Sequence, residues 1–242
     1  MAGRAIPVLE IFGPTVQGEG LVIGQKTMFV RTAGCDYSCA WCDSAFTWDG
    51  SAKEDIRLLE PEAVLDELLR IGGSRFAHVT LSGGNPALLP QLDELIRLLH
   101  GRGMKVALET QGSRWQDWFL SVDDLTISPK PPSSGMHTDW SRLDEIMGNL
   151  SDRAEGLCLK VVVFDDTDLD YALTIHRRYP DIPLVLQVGN DDVGTSDSAG
   201  LLVKLLRRYE WLVERVAASE AFKQVRVLPQ LHTLLWGNKR GV

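Results

Sequence analysis

The sequence lacks the features that mark membrane and secreted proteins. No stretch of about twenty consecutive apolar residues occurs in it, so no membrane-spanning helix is expected. Residues 1–12 contain neither a long apolar stretch nor a cleavage site, so we expect no signal peptide. The chain has only four cysteines, and three of them form one cluster, which does not fit a disulfide framework. We therefore expect a cytoplasmic protein.

The sequence also has little positive charge. Its 25 basic residues are outnumbered by 33 acidic ones, and the net charge is −8. Nucleic acids and anionic membranes are bound by clustered lysines and arginines, so we expect neither as a partner. Internal repeats, low-complexity segments and linkers are absent. At this length the composition predicts one domain over residues 1–242, with short extensions at its two ends.

Apolar strand-like runs alternate with helix-like segments along the chain. The predicted strands are 27–32, 78–81, 105–108, 125–128, 157–164 and 184–188. The predicted helices are 61–70, 89–100, 139–150, 168–178 and 198–218. Such alternation predicts an α/β fold with parallel strands and right-handed crossovers. About six units are too few for an eightfold barrel, so we expect a partial, open parallel β/α barrel with its chemistry at the carboxyl ends of the strands.

Three cysteines, Cys35, Cys39 and Cys42, lie within one short loop after the predicted strand 27–32. Thiolates select zinc, copper(I) or iron–sulfur clusters. Three of them can fill three corners of a four-iron cluster and leave one iron free. A structural zinc site usually needs a fourth protein ligand, for which Cys158 or a histidine is available. We expect Cys158 to pack as a small core side chain. Spacing alone leaves both the cluster and zinc open.

The Cys-x3-Cys-x2-Cys loop, with Trp41 just before its last cysteine, resembles the signature of the radical S-adenosylmethionine (SAM) superfamily. The resemblance implies that Cys35, Cys39 and Cys42 hold a [4Fe-4S] cluster whose fourth iron binds SAM. It also implies cleavage of SAM to methionine and a 5′-deoxyadenosyl radical, which abstracts hydrogen from the substrate. In such enzymes the cofactors supply the chemistry, and the protein orients and shields them.

A glycine-rich run, Leu81-Ser82-Gly83-Gly84-Asn85-Pro86, follows the predicted strand 78–81. Glycines let backbone approach a ligand closely, although the same run also fits an ordinary strand-to-helix turn. The superfamily has a Gly-Gly-Glu-Pro loop here that binds the amino group of SAM, which implies such a contact for Gly84. Asn85 stands where glutamate is usual. Asparagine can still brace a turn, but it carries no negative charge.

Further elements resemble a narrower family. Gln17-Gly18-Glu19-Gly20, Arg31, Ser128-Pro129-Lys130-Pro131 and residues 224–232 are similar to the 7-carboxy-7-deazaguanine synthase family, and the similarity runs from about residue 10 to the C-terminus. It implies a carbon–nitrogen lyase of queuosine and 7-deazapurine biosynthesis. The implied reaction converts 6-carboxy-5,6,7,8-tetrahydropterin to 7-carboxy-7-deazaguanine with loss of ammonia.

This second resemblance implies a set of substrate-binding residues. Arg31 would bind the substrate carboxylate through its planar fork, and Gln17 and Glu19 would bind the pterin edge. Without the resemblance, the simpler interpretation of Arg31 would be a surface ion pair, and that of the segment with Gln17 and Glu19 would be a polar turn. The implied substrate-binding residues are Val16, Gln17, Gly18, Glu19, Arg31 and Ser82.

The resemblance also implies ligands for Mg²⁺ and SAM. Ser44 matches a Mg²⁺-binding position, and one hydroxyl with substrate oxygens and water suits that ion; from the sequence alone, Ser44 would be a helix cap. The implied SAM-binding residues are Trp41, Asp43, Gly84, Ser128, Pro129, Lys130 and Gln187.

The implied partners are the pterin substrate, an electron donor such as flavodoxin or ferredoxin, and a second copy of the chain in a homodimer. Two other functions remain open at this stage. One is a different radical SAM enzyme, such as an activase that installs a glycyl radical, which would not need Gln17, Glu19 and Arg31. The other is a zinc-binding module without catalysis.

Overall fold

The computed structural model describes residues 5–153 and 155–242, and within them nine strands form one sheet. The strands are β1 (Ile6–Val16), β2 (Lys26–Thr32), β3 (Arg57–Leu59), β4 (His78–Gly83), β5 (Lys105–Thr110), β6 (Asp124–Ile127), β7 (Leu157–Val163), β8 (Leu184–Val188) and β9 (Arg226–Leu228). Their order in the sheet is β3-β1-β2-β4-β5-β6-β7-β8-β9. From β2 to β9 the neighbouring strands pair in parallel, whereas β1 is antiparallel to both β2 and β3.

Helices connect most of the parallel strands. They are α1 (Pro61–Gly72), α2 (Leu92–Gly101), α3 (Trp140–Asn149), α4 (Asp166–Arg178), α5 (Ser198–Ala217) and α6 (Leu231–Trp236). Helix α1 begins at a proline, whose fixed φ suits a first helical turn, and stops before Gly73 at φ 57°. The side chains of Asp139, Asp165 and Asp197 cap α3, α4 and α5 by accepting backbone N–H groups. Between β5 and β6 the connection is only a short 3₁₀ helix, Asp117–Ser121.

The hydrophobic core lies between the sheet and the helices. Strand β7 is buried at every position, and so is β8, as expected for parallel strands that are covered on both faces. Leu95 and Ile96 of α2 and Ile146 of α3 are fully buried in the same cluster. No helix in the described part of the chain is long and apolar enough to cross a membrane.

The observed fold confirms the predicted α/β class and the open, partial parallel barrel. The five predicted helices and six predicted strands are present, with ends that differ by a few residues. The prediction that 27–32 is the first strand was wrong, because β1 precedes it and pairs with it. Gly13 and Pro14 lie in the break in register between Phe12 and Thr15, where the ladder tolerates a proline.

Candidate active site

A cavity of about 460 Å³ lies at the carboxyl ends of the parallel strands. Strands β2, β4, β5 and β7 contribute residues at or near their C-terminal ends, among them Arg31 from β2, Ser82 from β4, Glu109 from β5 and Val162 from β7. The position is the one at which parallel α/β folds gather their chemistry.

The cavity brings together most of the residues predicted from the sequence. Those that line it are Val16, Gln17, Gly18, Glu19, Arg31, Cys35, Cys39, Trp41, Cys42, Asp43, Ser44, Ser82, Gly84 and Lys130. The lining does not include Ser128, Pro129 or Gln187, which were also predicted to bind SAM. The cysteine loop and the predicted substrate-binding residues therefore face one shared space.

The three clustered thiols are only partly buried and are surrounded by N–H donors. The backbone N–H of Tyr37 donates to Cys35 Sγ at 3.4 Å, and the Trp48 indole donates to Cys42 Sγ at 3.5 Å. Burial raises the pKa of Cys39 to about 11 and also raises that of Cys35. The unligated thiols of Cys35 and Cys39 therefore hold their protons, whereas N–H donors around the sulfurs suit thiolates bound to a metal cluster.

The three thiols are not gathered as closely as the ligands of a single zinc ion would be. Zn–S bonds of about 2.3 Å would place the sulfurs of one tetrahedral zinc site roughly 3.8 Å apart. Among the described residues, the group of metal-ligating side chains with all ligand atoms within 4.8 Å of one another is Glu19, Asp43 and His232, not the cysteines. Cys158 is fully buried in β7 beside Thr126, which confirms its predicted place in the core.

The glycine loop packs directly on the cysteine loop. The backbone N–H of Asn85 donates to Gly34 O at 2.8 Å, and that of Gly84 donates to Thr32 O at 3.3 Å. A Cβ at Gly84 would lie 2.2 Å from Gly34 O and 2.9 Å from Cys35 Cβ. The two loops can touch in this way only because no side chain stands between them.

Asn85, which replaces the usual glutamate, is fully buried and has all of its polar atoms paired. Its Nδ2 donates to Asp36 Oδ1 at 2.8 Å and to Ser113 Oγ at 3.0 Å, while its Oδ1 accepts from Thr110 Oγ1 at 2.7 Å. Gln111 Nε2 donates to the same Asp36 oxygen at 2.6 Å. An amide suits this position because it donates to the Asp36 carboxylate, which a glutamate would repel, so Asn85 braces the cysteine loop.

Arg31 lies at the end of β2 between two aromatic rings. Its guanidinium carbon is 5.5 Å from the centroid of Phe12 and 5.2 Å from that of Phe46. Its Nε is 3.1 Å from Glu10 Oε2, but neither of these two buried atoms has a directed hydrogen bond among the described residues. Arg240 also pairs with Glu10. Burial lowers the pKa of Arg31, yet a guanidinium stays charged. Because Arg31 and Arg240 share the one carboxylate of Glu10, Arg31 can pair with a further anion in the cavity.

Glu19 is held by several polar groups. Lys160 Nζ lies 2.5 Å from Glu19 Oε2 and also 2.5 Å from Glu109 Oε1. Gln230 Nε2 donates to Glu19 Oε1 at 2.9 Å. Although burial acts in the opposite direction, the charges of Lys160 and His232 hold the pKa of Glu19 well below its usual range. Glu19 is therefore an ionised carboxylate at the cavity wall.

Ser44 and Asp43 follow the last cysteine. Ser44 Oγ donates to Asp43 Oδ1 at 2.8 Å, and its side chain makes no capping bond to the short helix Ala45–Thr47 that it precedes. The simpler interpretation of Ser44 as a side-chain helix cap was therefore wrong. His232 Nε2 lies 3.9 Å from Asp43 Oδ2, so oxygen and nitrogen ligands converge beside the cysteine loop.

The remaining residues that were predicted to bind SAM lie around the tryptophan of the cysteine loop and in β8. Trp41 Nε1 donates to Ser133 Oγ at 3.1 Å, and Lys130 Nζ lies 6.0 Å from the Trp41 ring. Lys130 Nζ also donates to Ser128 Oγ at 3.2 Å. Gln187 is fully buried, and its amide has no partner among the described residues. It pairs in register with Val162, which lines the cavity.

Several residues of the cavity were not predicted from the sequence. Lys160 carried a usable signal, because a lysine within an otherwise apolar buried strand needs a charged partner. Arg240 carried none, since a basic residue near the end of a chain is usually solvated. His232 lies in the segment 224–232, but a single histidine there predicts no particular role. These three lining residues are brought to the site only by the fold.

Comparisons with known proteins identify the class to which this site belongs. The model of the radical SAM superfamily matches residues 29–129, which include the cysteine and glycine loops. The crystal structure of QueE from Escherichia coli superposes with a TM-score of 0.70 at 24% identity and covers 94% of this chain and 95% of that one. The chain has the fold and the cysteine loop of a radical SAM enzyme, which implies a four-iron cluster and SAM as cofactors.

Closer relatives define the family. A 7-carboxy-7-deazaguanine synthase from Bacillus subtilis is 64% identical over 241 residues, covering 99% of each chain. One from Bacillus cereus is 62% identical over 237 residues, covering 98% of this chain and 99% of the relative. The chain belongs to the 7-carboxy-7-deazaguanine synthase family. This confirms the predicted family, and neither the activase nor the zinc module is supported.

Proposed function

We propose that this chain converts 6-carboxy-5,6,7,8-tetrahydropterin to 7-carboxy-7-deazaguanine with loss of ammonia, as a radical SAM lyase of queuosine and 7-deazapurine biosynthesis. The names of its relatives specify the product. The observation that carries the proposal is the shared cavity, in which the cysteine loop faces Gln17, Glu19 and Arg31. A protein substrate would not require this set of polar groups for a carboxylate and a pterin edge.

The cofactors would be held by the loops at the strand ends. Cys35, Cys39 and Cys42 would bind the [4Fe-4S] cluster. The chemistry that the cluster and SAM supply when bound is one-electron cleavage of the sulfonium, which provides a hydrogen-abstracting radical. Because the glycine loop packs on the cysteine loop, the groups that bind SAM are fixed relative to the thiols. The proposed SAM-binding residues are Trp41, Asp43, Gly84, Ser128, Pro129, Lys130 and Gln187.

The substrate would be oriented by charge at two positions. Arg31 would bind the carboxylate bidentately, since it lines the cavity and shares its acidic partner Glu10 with Arg240. Glu19, ionised and fixed by Lys160, would accept hydrogen bonds from N–H groups of the pterin. Gln17 would add a donor and an acceptor, with support from the backbone of Val16 and Gly18 and the hydroxyl of Ser82. Two separate anchors would set which carbon faces the cofactor.

A magnesium ion would be bound at Ser44 with oxygens of the substrate and water, because Mg²⁺ prefers oxygen ligands and retains water. The Ser44 hydroxyl makes no capping bond to the helix that follows it, which supports this position. The ion would orient the substrate and stabilise charge during rearrangement.

Anaerobic turnover of the reconstituted protein with SAM, a reductant and the carboxytetrahydropterin tests the proposal. We expect 7-carboxy-7-deazaguanine, detected by mass spectrometry, and no product from a Cys39→Ala variant. Formation of 5′-deoxyadenosine without the deazaguanine would indicate a different substrate. A colourless protein that contains zinc and no iron would contradict the enzyme altogether.

The chain requires an external electron donor, and we propose flavodoxin or ferredoxin for this role. We further propose that residues 1–242 form one domain with short extensions and that the chain acts as a homodimer. Cluster thiolates and a low-potential donor require a reducing compartment, so a cytoplasmic location follows. Turnover with each donor tests the electron-transfer partner, and light scattering tests the homodimer.

A further inference from the structure

Lys160 is a buried cation that neither the family resemblance nor the comparisons assign to a role. It lies in the middle of β7, where the neighbouring side chains are apolar, and it is 1% exposed. Its ammonium group nevertheless reaches the wall of the cavity. An unpaired lysine in such a place would be costly, so its partners determine why it is there.

Those partners are two carboxylates from distant parts of the chain. Glu19 follows β1, Glu109 lies in β5, and Lys160 Nζ is 2.5 Å from an oxygen of each. Lysine is a compact cation with three donors, so one ammonium can pair with both. The charges of the two glutamates raise the pKa of Lys160, against the effect of burial. The cluster therefore carries one lysine and two carboxylates, with a net negative charge.

Lys160 also fixes the segment that carries Glu19. This segment lies against β6, where Leu21 N–H donates to Thr126 Oγ1 at 3.4 Å. A Cβ at Gly20 would lie 3.0 Å from the same hydroxyl. Strand β6 lies between β5 and β7, so Lys160 reaches across it and joins the segment to both flanking strands.

We propose that Lys160 is a positioning residue for substrate recognition, which holds Glu19 and Glu109 as a carboxylate pair that accepts hydrogen bonds from the amino and ring N–H groups of the pterin edge. The inference rests on the proposed function. Each carboxylate uses one oxygen for Lys160, and both residues line the cavity. The other oxygen of Glu19 accepts from Gln230, and a carboxylate oxygen can accept a second hydrogen bond. Without the cation, the two carboxylates would repel each other and turn away from a common donor edge.

Substrate binding by the anaerobic holoenzyme tests the inference. We expect Lys160→Met to raise the Kd for the carboxytetrahydropterin at least tenfold and to leave the Kd for SAM and the iron content within twofold. Lys160→Arg should recover part of the loss, because a guanidinium can also pair with two carboxylates. Lys204→Met is the matched control, since Lys204 is an exposed partner of Asp191. An unchanged pterin Kd in folded Lys160→Met would overturn the inference.

Glu109→Gln keeps the proposal testable if Lys160→Met does not fold, because it preserves the pair between Lys160 and Glu19. We expect KM for the pterin to rise three- to tenfold while the Kd for SAM and the iron content stay within twofold; an unchanged KM would contradict the carboxylate pair. Wild-type enzyme that neither binds nor converts the pterin would contradict the proposed function instead. The two failures are therefore distinguishable.

Discussion

At the scale of single residues, Arg31 is the side chain whose surroundings best indicate an anionic ligand. It is held by Phe12 and Phe46, and its Nε lacks a directed hydrogen bond. We expect Arg31→Ala to weaken pterin binding by about 2 kcal/mol or more, which is roughly a 30-fold increase in Kd. Iron content and SAM binding should not change. Isothermal titration under anaerobic conditions measures both affinities.

One control variant separates the bidentate geometry of the Arg31 guanidinium from its charge. Arg31→Lys keeps the charge and loses the bidentate geometry, so its Kd for the pterin should lie between those of the wild type and Arg31→Ala. Removal of Arg31 leaves Glu10 paired with Arg240, so the fold should persist. Pterin binding by Arg31→Ala at wild-type affinity would show that another group binds the carboxylate.

Ser44 provides a second prediction for a single residue. If its hydroxyl binds Mg²⁺, Ser44→Ala should raise the magnesium concentration needed for half-maximal turnover about tenfold or more, since one oxygen ligand is lost. Ser44→Thr retains the hydroxyl and should resemble the wild type. Titration of EDTA-treated enzyme with MgCl₂ gives the result. Identical magnesium curves for Ser44→Ala and wild type would exclude Ser44 as a ligand.

Residue types with narrow chemistry could be predicted from the sequence, and residues that act through the fold could not. The closely spaced thiols of Cys35, Cys39 and Cys42 predict a metal site, because thiols at such spacing have few other uses in a reducing compartment. Glu109 and Lys160 are 51 positions apart in the sequence and meet only because β6 lies between their strands. Their contact at 2.5 Å depends on sheet order, which no local pattern contains.

At the scale of elements, the contact between the glycine loop and the cysteine loop makes a prediction about folding. A Cβ at Gly84 would lie 2.2 Å from Gly34 O, which is a backbone atom and cannot rotate away. We expect Gly84→Ala to lower the free energy of unfolding by about 1–3 kcal/mol and to reduce iron loading. Thermal melting of the apoprotein and iron per chain are the measurements.

Gly101 offers a matched control for that substitution. A Cβ there would meet nothing within 4 Å, so Gly101→Ala at the end of α2 should change stability by less than about 0.5 kcal/mol. If Gly84→Ala is as stable as Gly101→Ala and binds a full cluster, the two loops are not coupled as described.

Elements with strong periodicity were the easiest to predict. Helices α1 and α5 agree with their predicted positions because caps and breakers coincide with their apolar pattern. Strand β1 was missed because Gly13 and Pro14 interrupt it, and both residues usually argue against a strand. Its pairing with β2 and β3 compensates for this interruption, and such pairing is a tertiary effect.

At the scale of the whole molecule, the cavity is built from two parts of the chain. The superfamily model covers 29–129, which contains the cysteine and glycine loops. Much of the opposite wall comes from outside that range, where Leu231 N–H donates to Gly18 O at 3.0 Å and Gln230 binds Glu19. The segments that carry Glu19 and Gln230 therefore contain none of the residues proposed to bind the cluster or SAM.

This division predicts that a change where the two outer segments meet alters substrate binding alone. A Cβ at Gly18 would lie 2.3 Å from His232 Nδ1 and 2.8 Å from its backbone nitrogen, so Gly18→Ala must move one segment and displace Gln17 and Glu19. We expect the Kd for the pterin to rise about tenfold, comparable to the loss of a well-made contact of roughly 1.4 kcal/mol. The Kd for SAM should not change.

Gly148→Ala in α3, where a Cβ meets nothing within 4 Å, controls for the added methyl. Equal losses of SAM and pterin affinity in Gly18→Ala would show that the two parts of the cavity are not independent.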